Sequence, residues 1–214
     1  MIWLAWRQQR FPFIAAAILI CLYGGLTAAA HVDAEFVTIT QLFAGYLTIG
    51  VCMFWGVPLV ARDLEQGTHR LAWTQSRPRG HWLAARLAVA AAGSLAAAAV
   101  VTAVVTWGLP TADGDPMRWF AYESHDLVPL ARVLFALTLG AALGAVTRNT
   151  HVAMALSVPV LGIVQLGGAR AVREATSWTY WQLQVAESGV YLGAAAVLTA
   201  VTFLAVRRPL SAAA

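Results

Sequence analysis

VARDLEQGTHRLAWTQSRPRGHWLAAR, residues Val60 to Arg86, packs five of the fourteen arginines of the chain between two long uncharged runs, Phe36 to Ala61 and Leu87 to Ala112. Each flanking run is long enough for a membrane span of about 20 residues. The stretch therefore reads as a polar loop between two spans. Within it, Gly67 supplies a permissive backbone where one helix must stop. Thr68 is a good N-cap for a new helix running through His69, Arg70, Leu71, Ala72, Trp73, Thr74 and Gln75. Pro78 disfavours helix at Arg77, which limits that helix to about two turns. Leu71 and Trp73 are large apolar groups in this polar segment. They have two readings, resting on the lipid interface or filling a groove on a partner protein.

Outward from the loop, the composition belongs to the membrane class: 60% hydrophobic residues, 11% charged, and a mean hydropathy of +0.69. Several spans would occupy most of the 214 residues, which excludes a large soluble domain. One membrane domain, residues 1–214, is expected. The net charge of +4 comes from arginines scattered among apolar runs, a pattern that sets membrane orientation rather than nucleic-acid binding. All fourteen basic residues are Arg, and there is no Lys. A P-loop, which needs GxxxxGK followed by Ser or Thr, therefore cannot be present. Cys21 and Cys52 lie inside apolar runs and read as buried structural thiols. Phe11 to Ala30 is long enough to span, so it reads as a retained anchor rather than a cleaved signal.

The predicted fold is an all-α polytopic membrane protein with six transmembrane helices, at about 12–30, 39–61, 86–109, 127–147, 150–168 and 188–206. A short interfacial helix with Trp3 and Trp6 precedes the first span, and a loop at 62–81 carries a short helix between spans two and three. ARAVREATSWTYWQLQVAE, around 169–187, reads as a helix on the membrane surface. On the side of the termini lie Arg7, Arg10, Arg62, Arg70, Arg77, Arg79, Arg86, Arg148, Arg207 and Arg208; the other side has Arg118, Arg132, Arg170 and Arg173. Ten arginines against four is a positive-inside bias that puts both termini and the loop in the cytosol. Arg132, near the outer end of span four, is expected to snorkel to the headgroups. Glu187, just outside the sixth span, has two readings, an acid that orients the outer gate or, the favoured one, a solvated interfacial acid.

Polar groups within the spans are Thr48, Thr102, Thr106, Thr138, Gln165 and Thr202. Hydroxyls in such places mostly bond to their own helix, whereas Gln165 should face protein or a cavity. Thr48, Thr102 and Gln165 are the candidates for lining a substrate path. No charge interrupts the middle of a span, so a path for small ions is disfavoured and an amphiphilic or apolar cargo fits. The five histidines include no HExxH or closely spaced ligand set, and no metal site is expected. Ser157 lacks a GxSxG context, so an enzyme is not expected either. Gly140 and Gly144 form a GxxxG that serves packing within one subunit or a subunit interface. Arg148, in a tight turn, has two readings, an orientation anchor, which is favoured, or a second contact with a partner protein.

LVARDLEQGTHRLAWTQSRPRGHWLAAR resembles the cytosolic loop of ABC transporter permeases of the type-2 exporter class, whose Glu-x-Gly-Thr signature is met by Glu65, Gly67 and Thr68. It is especially similar to an actinobacterial group with "HRLAWTQS", a basic cluster and "RWLA", where this chain has His81 before Trp82. LAWRQQR, LFALTLGAALGAVTRNT and YWQLQVAESG resemble the same group in the same order. The compact outer region after Thr106 departs from large extracellular domains. The resemblance implies the membrane half of an ATP-driven exporter in a bacterial cell membrane. It would pair with a second permease copy and two separate ATPase subunits that hold ATP and Mg, with no cofactor bound by this chain. Glu65, Gly67, Thr68, Arg70, Leu71, Trp73 and Gln75 would form the coupling element. A non-transporting membrane anchor or regulatory module for a cytosolic partner is the alternative reading of the same loop helix.

Overall fold

Uncharged runs without strong breakers become long helices, whose backbone groups are satisfied internally, as the hydrocarbon core requires. The computed structural model of the protein describes residues 10–31, 35–66, 79–109, 119–165, 173 and 176–207, and these contain helices and no strand. Helix α1 is Arg10–Ala30, with Pro12 in its first turn. Helix α2, Glu35–Gly50, runs without a break through a π-helical segment, Val51–Gly56, into α3, Val57–Glu65. The Val57 N–H reaches back five residues to the Cys52 carbonyl, and Pro58 follows with no N–H to donate, so the wide turn sits where the α ladder is already weakened. Helix α4 is Arg79–Gly108, α5 Trp119–Ser124, α6 Val128–Thr147, α7 Thr150–Gly162 and α8 Tyr180–Arg207.

Among the described residues, five helices are long and apolar enough to cross a membrane: α1, the α2–α3 rod, α4, α6 and α8. The fifth sequence-predicted span, 150–168, is helical over Thr150–Gln165 in the described residues, about 24 Å at the usual rise, against about 30 Å of hydrocarbon. Pro159 lies inside this helix; the Ile163 N–H is shared between the carbonyls of Pro159 and Val160, and residues 163–165 form a π turn at its end. Helix α4 begins at Arg79, inside the stretch read from sequence as loop. Helix α8 starts at Tyr180, so residues 180–187 of the expected surface helix belong instead to its first two turns. It turns a polar residue inward where a partner waits: the Gln184 side chain is bonded to the Val128 amide. Leu183, Gln184, Ser188, Tyr191, Ala195, Thr202 and Val206 form one buried stripe at helical spacing.

Helix α6 is the centre of the bundle: 72% of its apolar window is buried, against 17% for α1 and 22% for α8. A helix apolar all round belongs inside, and small residues let its neighbours approach. A Cβ placed on Gly140 would lie 2.5 Å from the Cys52 carbonyl oxygen and 2.7 Å from the Val57 nitrogen. On Gly144 it would lie 2.8 Å from the Val57 oxygen, and on Gly56 2.6 Å from the Leu137 oxygen. The GxxxG of α6 therefore packs on the π segment and α3 of its own chain. Helices α6 and α8 run parallel, because Gln184 meets Val128 at one end while Val206 packs with Ala141 and Ala145 towards the other. Cys52 is buried as expected, whereas Cys21 is exposed on α1, which sends only its Tyr23 face into the packing. Ile14, Ile18 and Leu22 share the outward face of α1, and Val190, Val197 and Leu204 that of α8.

Candidate functional site

The two described ends of the central loop are fastened to the bundle, and the fastening residues are charged. At the end of α3, Asp63 forms an ion pair with Arg86 of α4, with side chains 23% and 9% exposed. The Arg86 guanidinium also sits 5.1 Å from the centre of the Trp82 ring. The pair closes the base of the loop, since it joins the helix that enters the loop to the helix that leaves it. Removing one partner of a buried pair leaves the other charge desolvated, typically at about 3–5 kcal/mol, while replacing both by apolar groups is often neutral. Asp63→Ala is thus expected to lower the unfolding midpoint in detergent clearly, and Asp63→Leu combined with Arg86→Met to recover most of the loss. An Asp63→Ala protein melting with the wild type would refute the role.

Two residues further on, the exposed Glu65 carboxylate accepts hydrogen bonds from the Thr150 amide, at 3.2 Å, and the Thr150 hydroxyl, at 2.7 Å. Thr150 is the first residue of α7, so Glu65 satisfies an orphan N–H and places negative charge at a helix N-terminus. Asn149 completes that end by accepting from the Val152 amide. Arg148 closes α6 in the left-handed region, at φ 54°, with its N–H on the Gly144 carbonyl. The Arg148–Asn149 turn is therefore a double cap that aims Thr150 at Glu65.

Of the coupling residues read from sequence, Glu65 is the one within the described structure. Gly67, Thr68, Arg70, Leu71, Trp73 and Gln75 lie outside the described residues. The three candidate path residues are brought together. Gln165 donates to the Thr48 hydroxyl at 2.8 Å, joining the end of α7 to α2. Thr48 and Thr102 line a cavity of about 10 Å³ between α2, α4 and α6, near the lower limit for holding a water. Thr138 and Thr202 bond to their own helices, at 2.9 Å and 2.8 Å. A larger apolar cavity of about 160 Å³ opens between α1, α2 and α4, lined by residues such as Leu19, Leu47, Phe54, Trp55 and Val101.

The end of the bundle away from the loop corrects two expectations. Arg132 does not snorkel: it is 1% exposed and pairs with Glu123 at 3.2 Å. The short helix α5 and the turn at Asp126, φ 62°, fold Glu123 back onto α6, which gives the arginine a partner inside the protein. Glu187 is not a solvated acid either. Its side chain is 11% exposed and pairs with Arg173 at 3.5 Å, and Arg173 also reaches Glu123 at 2.9 Å. The Gln184 side chain accepts from the Val128 amide at 3.0 Å, capping α6, and Tyr180 donates to Asp126 at 2.5 Å. Arg173 lies 4.6 Å from the centre of the Tyr122 ring. Burial, and then the Glu187 charge, push the Tyr122 hydroxyl well above its ordinary value, so it stays neutral. His125 uses Nδ1 on the Ala121 carbonyl, at 2.6 Å.

Sequence reasoning missed Asp63, Arg86 and Thr150 as a set because their partners are remote in the chain. The available signal was an arginine followed by a long apolar run, with an acid at the end of the preceding span. The profile of the family described as "ABC-2 membrane transporter related" matches residues 13–173, a range that includes the loop, both of its fastenings and the α6–α7 turn. No protein of curated function and no solved structure matches the chain. With a multi-pass helical bundle and well over half its length matched, the chain belongs to the ABC-2 membrane transporter related family, a family of membrane permease subunits of ABC transporters.

Proposed function

We propose that this permease is the membrane half of an ATP-driven exporter, with six spans, both termini in the cytosol of an actinobacterial cell, and amphiphilic or apolar cargo. Two copies, or this chain and a related one, form the path, and two separate ATPase subunits hold ATP and Mg. Residues 68–75 form the coupling helix, with Leu71 and Trp73 in a groove of the ATPase. The observation that carries the reading is the double hydrogen bond from Thr150 to Glu65, the first residue of the Glu-x-Gly-Thr signature. Through it, a push on the loop reaches α7 as well as α3 and α4, as rigid-body rocking of the spans requires. Arg148 belongs to the same joint, and the arginine bias favours the cytosol for this end. The apolar cavity between α1, α2 and α4 suits an apolar cargo.

Co-purification with candidate ATPases tests this. A stable complex is expected, with vanadate-sensitive hydrolysis that depends on this chain and directional export by reconstituted vesicles. Partner binding without cargo movement would favour a membrane anchor or regulatory module instead. The absence of any ATPase partner would end the exporter reading.

A further inference from the structure

Four charged side chains are buried together at the end of the bundle opposite the loop, in the order Arg132, Glu123, Arg173, Glu187. They come from four separate places: α6, α5, the connector between α7 and α8, and α8. The set holds two positive and two negative groups, so it is formally neutral and can be closed off from water as a unit. Arg173 is the clasp, since it bonds Glu123 with one nitrogen and Glu187 with another. Without it, the connector and α8 lose their ionic link to the α5–α6 corner.

The cluster is held shut but incompletely satisfied. Arg132 Nε and Nη2, the Ser188 hydroxyl and the Tyr191 hydroxyl are buried without a hydrogen-bond partner among the described residues. Arg132 also lines the small cavity that reaches Thr48 and Thr102. Buried ionic groups carry a desolvation cost that their mutual attraction offsets only with good geometry and full hydrogen bonding, and orphaned donors add to it. Water entering from this end would hydrate these groups. The closed arrangement is thus opposed by hydration and held by the ion pairs, the balance expected of a two-state element.

We propose that Glu123, Arg132, Arg173 and Glu187 form an ionic latch that closes the outer end of the path and separates when the permease opens outward. The proposal rests on the exporter reading for which end is outer and for what drives the opening. The four residues position helices and need not touch cargo. In the closed state, Arg173 joins the connector to α5 and α8. In the open state, water takes the place of Arg173 beside Glu123 and Glu187, and α8 is held to the α5–α6 corner by the Gln184 and Tyr180 hydrogen bonds alone.

The test uses the full chain in cells, with Cys21→Ser and Cys52→Ala, and a reporter at Ser188→Cys, a position 8% exposed beside the latch. A membrane-impermeant maleimide is added from outside without ATP-driven turnover, and to inverted vesicles to probe the other face. The reporter is expected to react slowly behind an intact latch. With Arg173→Gln it should react on the order of tenfold faster from the outside, as closed and open populations shift. Inverting all four charges, with Glu123→Arg, Arg132→Glu, Arg173→Glu and Glu187→Arg, should restore slow labelling. If Arg173→Gln does not accumulate, Glu187→Gln, which alters only the outermost pair, carries the same test. Unchanged labelling in the neutralised chain would overturn the latch. So would fast labelling in the inverted one, because packing rather than charge pairing would then explain the effect. ATP-dependent labelling of the wild type reads the exporter separately, so either idea can fail without the other.

Discussion

Gly140→Val is expected to abolish the accumulation of folded permease, or to leave a protein that aggregates on extraction. The reason is where the new atoms would go. A Cβ alone would lie 2.5 Å from the Cys52 carbonyl oxygen, 2.7 Å from the Val57 nitrogen and 2.9 Å from the Gly56 carbonyl carbon. These are backbone atoms of the π segment and its junction with α3, which no rotamer change can move aside. Overpacking a core usually costs about 1–3 kcal/mol. Here α6 must back away from a neighbour packed along much of its length, so the cost should exceed that range. Between helices in lipid there is no hydrophobic driving force to compensate, and stability depends on close packing. Gly24→Ala is the control: a Cβ there meets nothing within 4 Å, and normal accumulation is expected. Size-exclusion profiles of the two variants decide it, and a monodisperse Gly140→Val protein at wild-type yield would contradict the packing.

Glu65→Ala is expected to uncouple ATP hydrolysis from export while leaving the protein inserted. Glu65 sits at the exposed end of α3, so its loss creates no buried orphan in the bundle, and the Asp63–Arg86 pair still closes the base of the loop. What disappears is the link to α7, because both Thr150 donors lose their acceptor. The α6–α7 turn keeps its own caps from Arg148 and Asn149. Hydrolysis by the associated ATPases should persist, while cargo moved per ATP falls by about fivefold or more, the scale of ordinary site-to-site coupling. Gly67→Pro is expected to act in the same direction, by stiffening the point at which α3 hands over to the loop.

Much of this architecture was legible in the residues. Uncharged runs marked the long helices, and the small residues of α6 marked a close packing surface. The start of α8 was not legible, because Gln184 and Glu187 look like surface residues until their partners are known. Gln184 caps Val128, 56 residues away, and Glu187 meets Arg173 across the end of the bundle. Arg132 was misread for the same reason. Its partner is only nine positions earlier, but the contact depends on the left-handed turn at Asp126. The Thr48–Gln165 bond spans 117 positions, and composition alone could say only that Gln165 needed a partner. Glu65 was singled out by its motif, but its bond to Thr150 required the α6–α7 turn to be folded. In each case the missing information was tertiary: which polar group finds which other.

The central claim is that the loop moves α7 through the Glu65–Thr150 contact, and a double-mutant cycle on transport tests it most directly. Cargo moved per ATP would be measured in reconstituted vesicles for the wild type, Glu65→Gln, Thr150→Val and the two combined. If the contact is the joint, each single variant lowers the ratio and the double variant is little worse than Glu65→Gln, since both changes break one interaction. Export per ATP at the wild-type level in Glu65→Gln, or losses that simply add in the double variant, would contradict it.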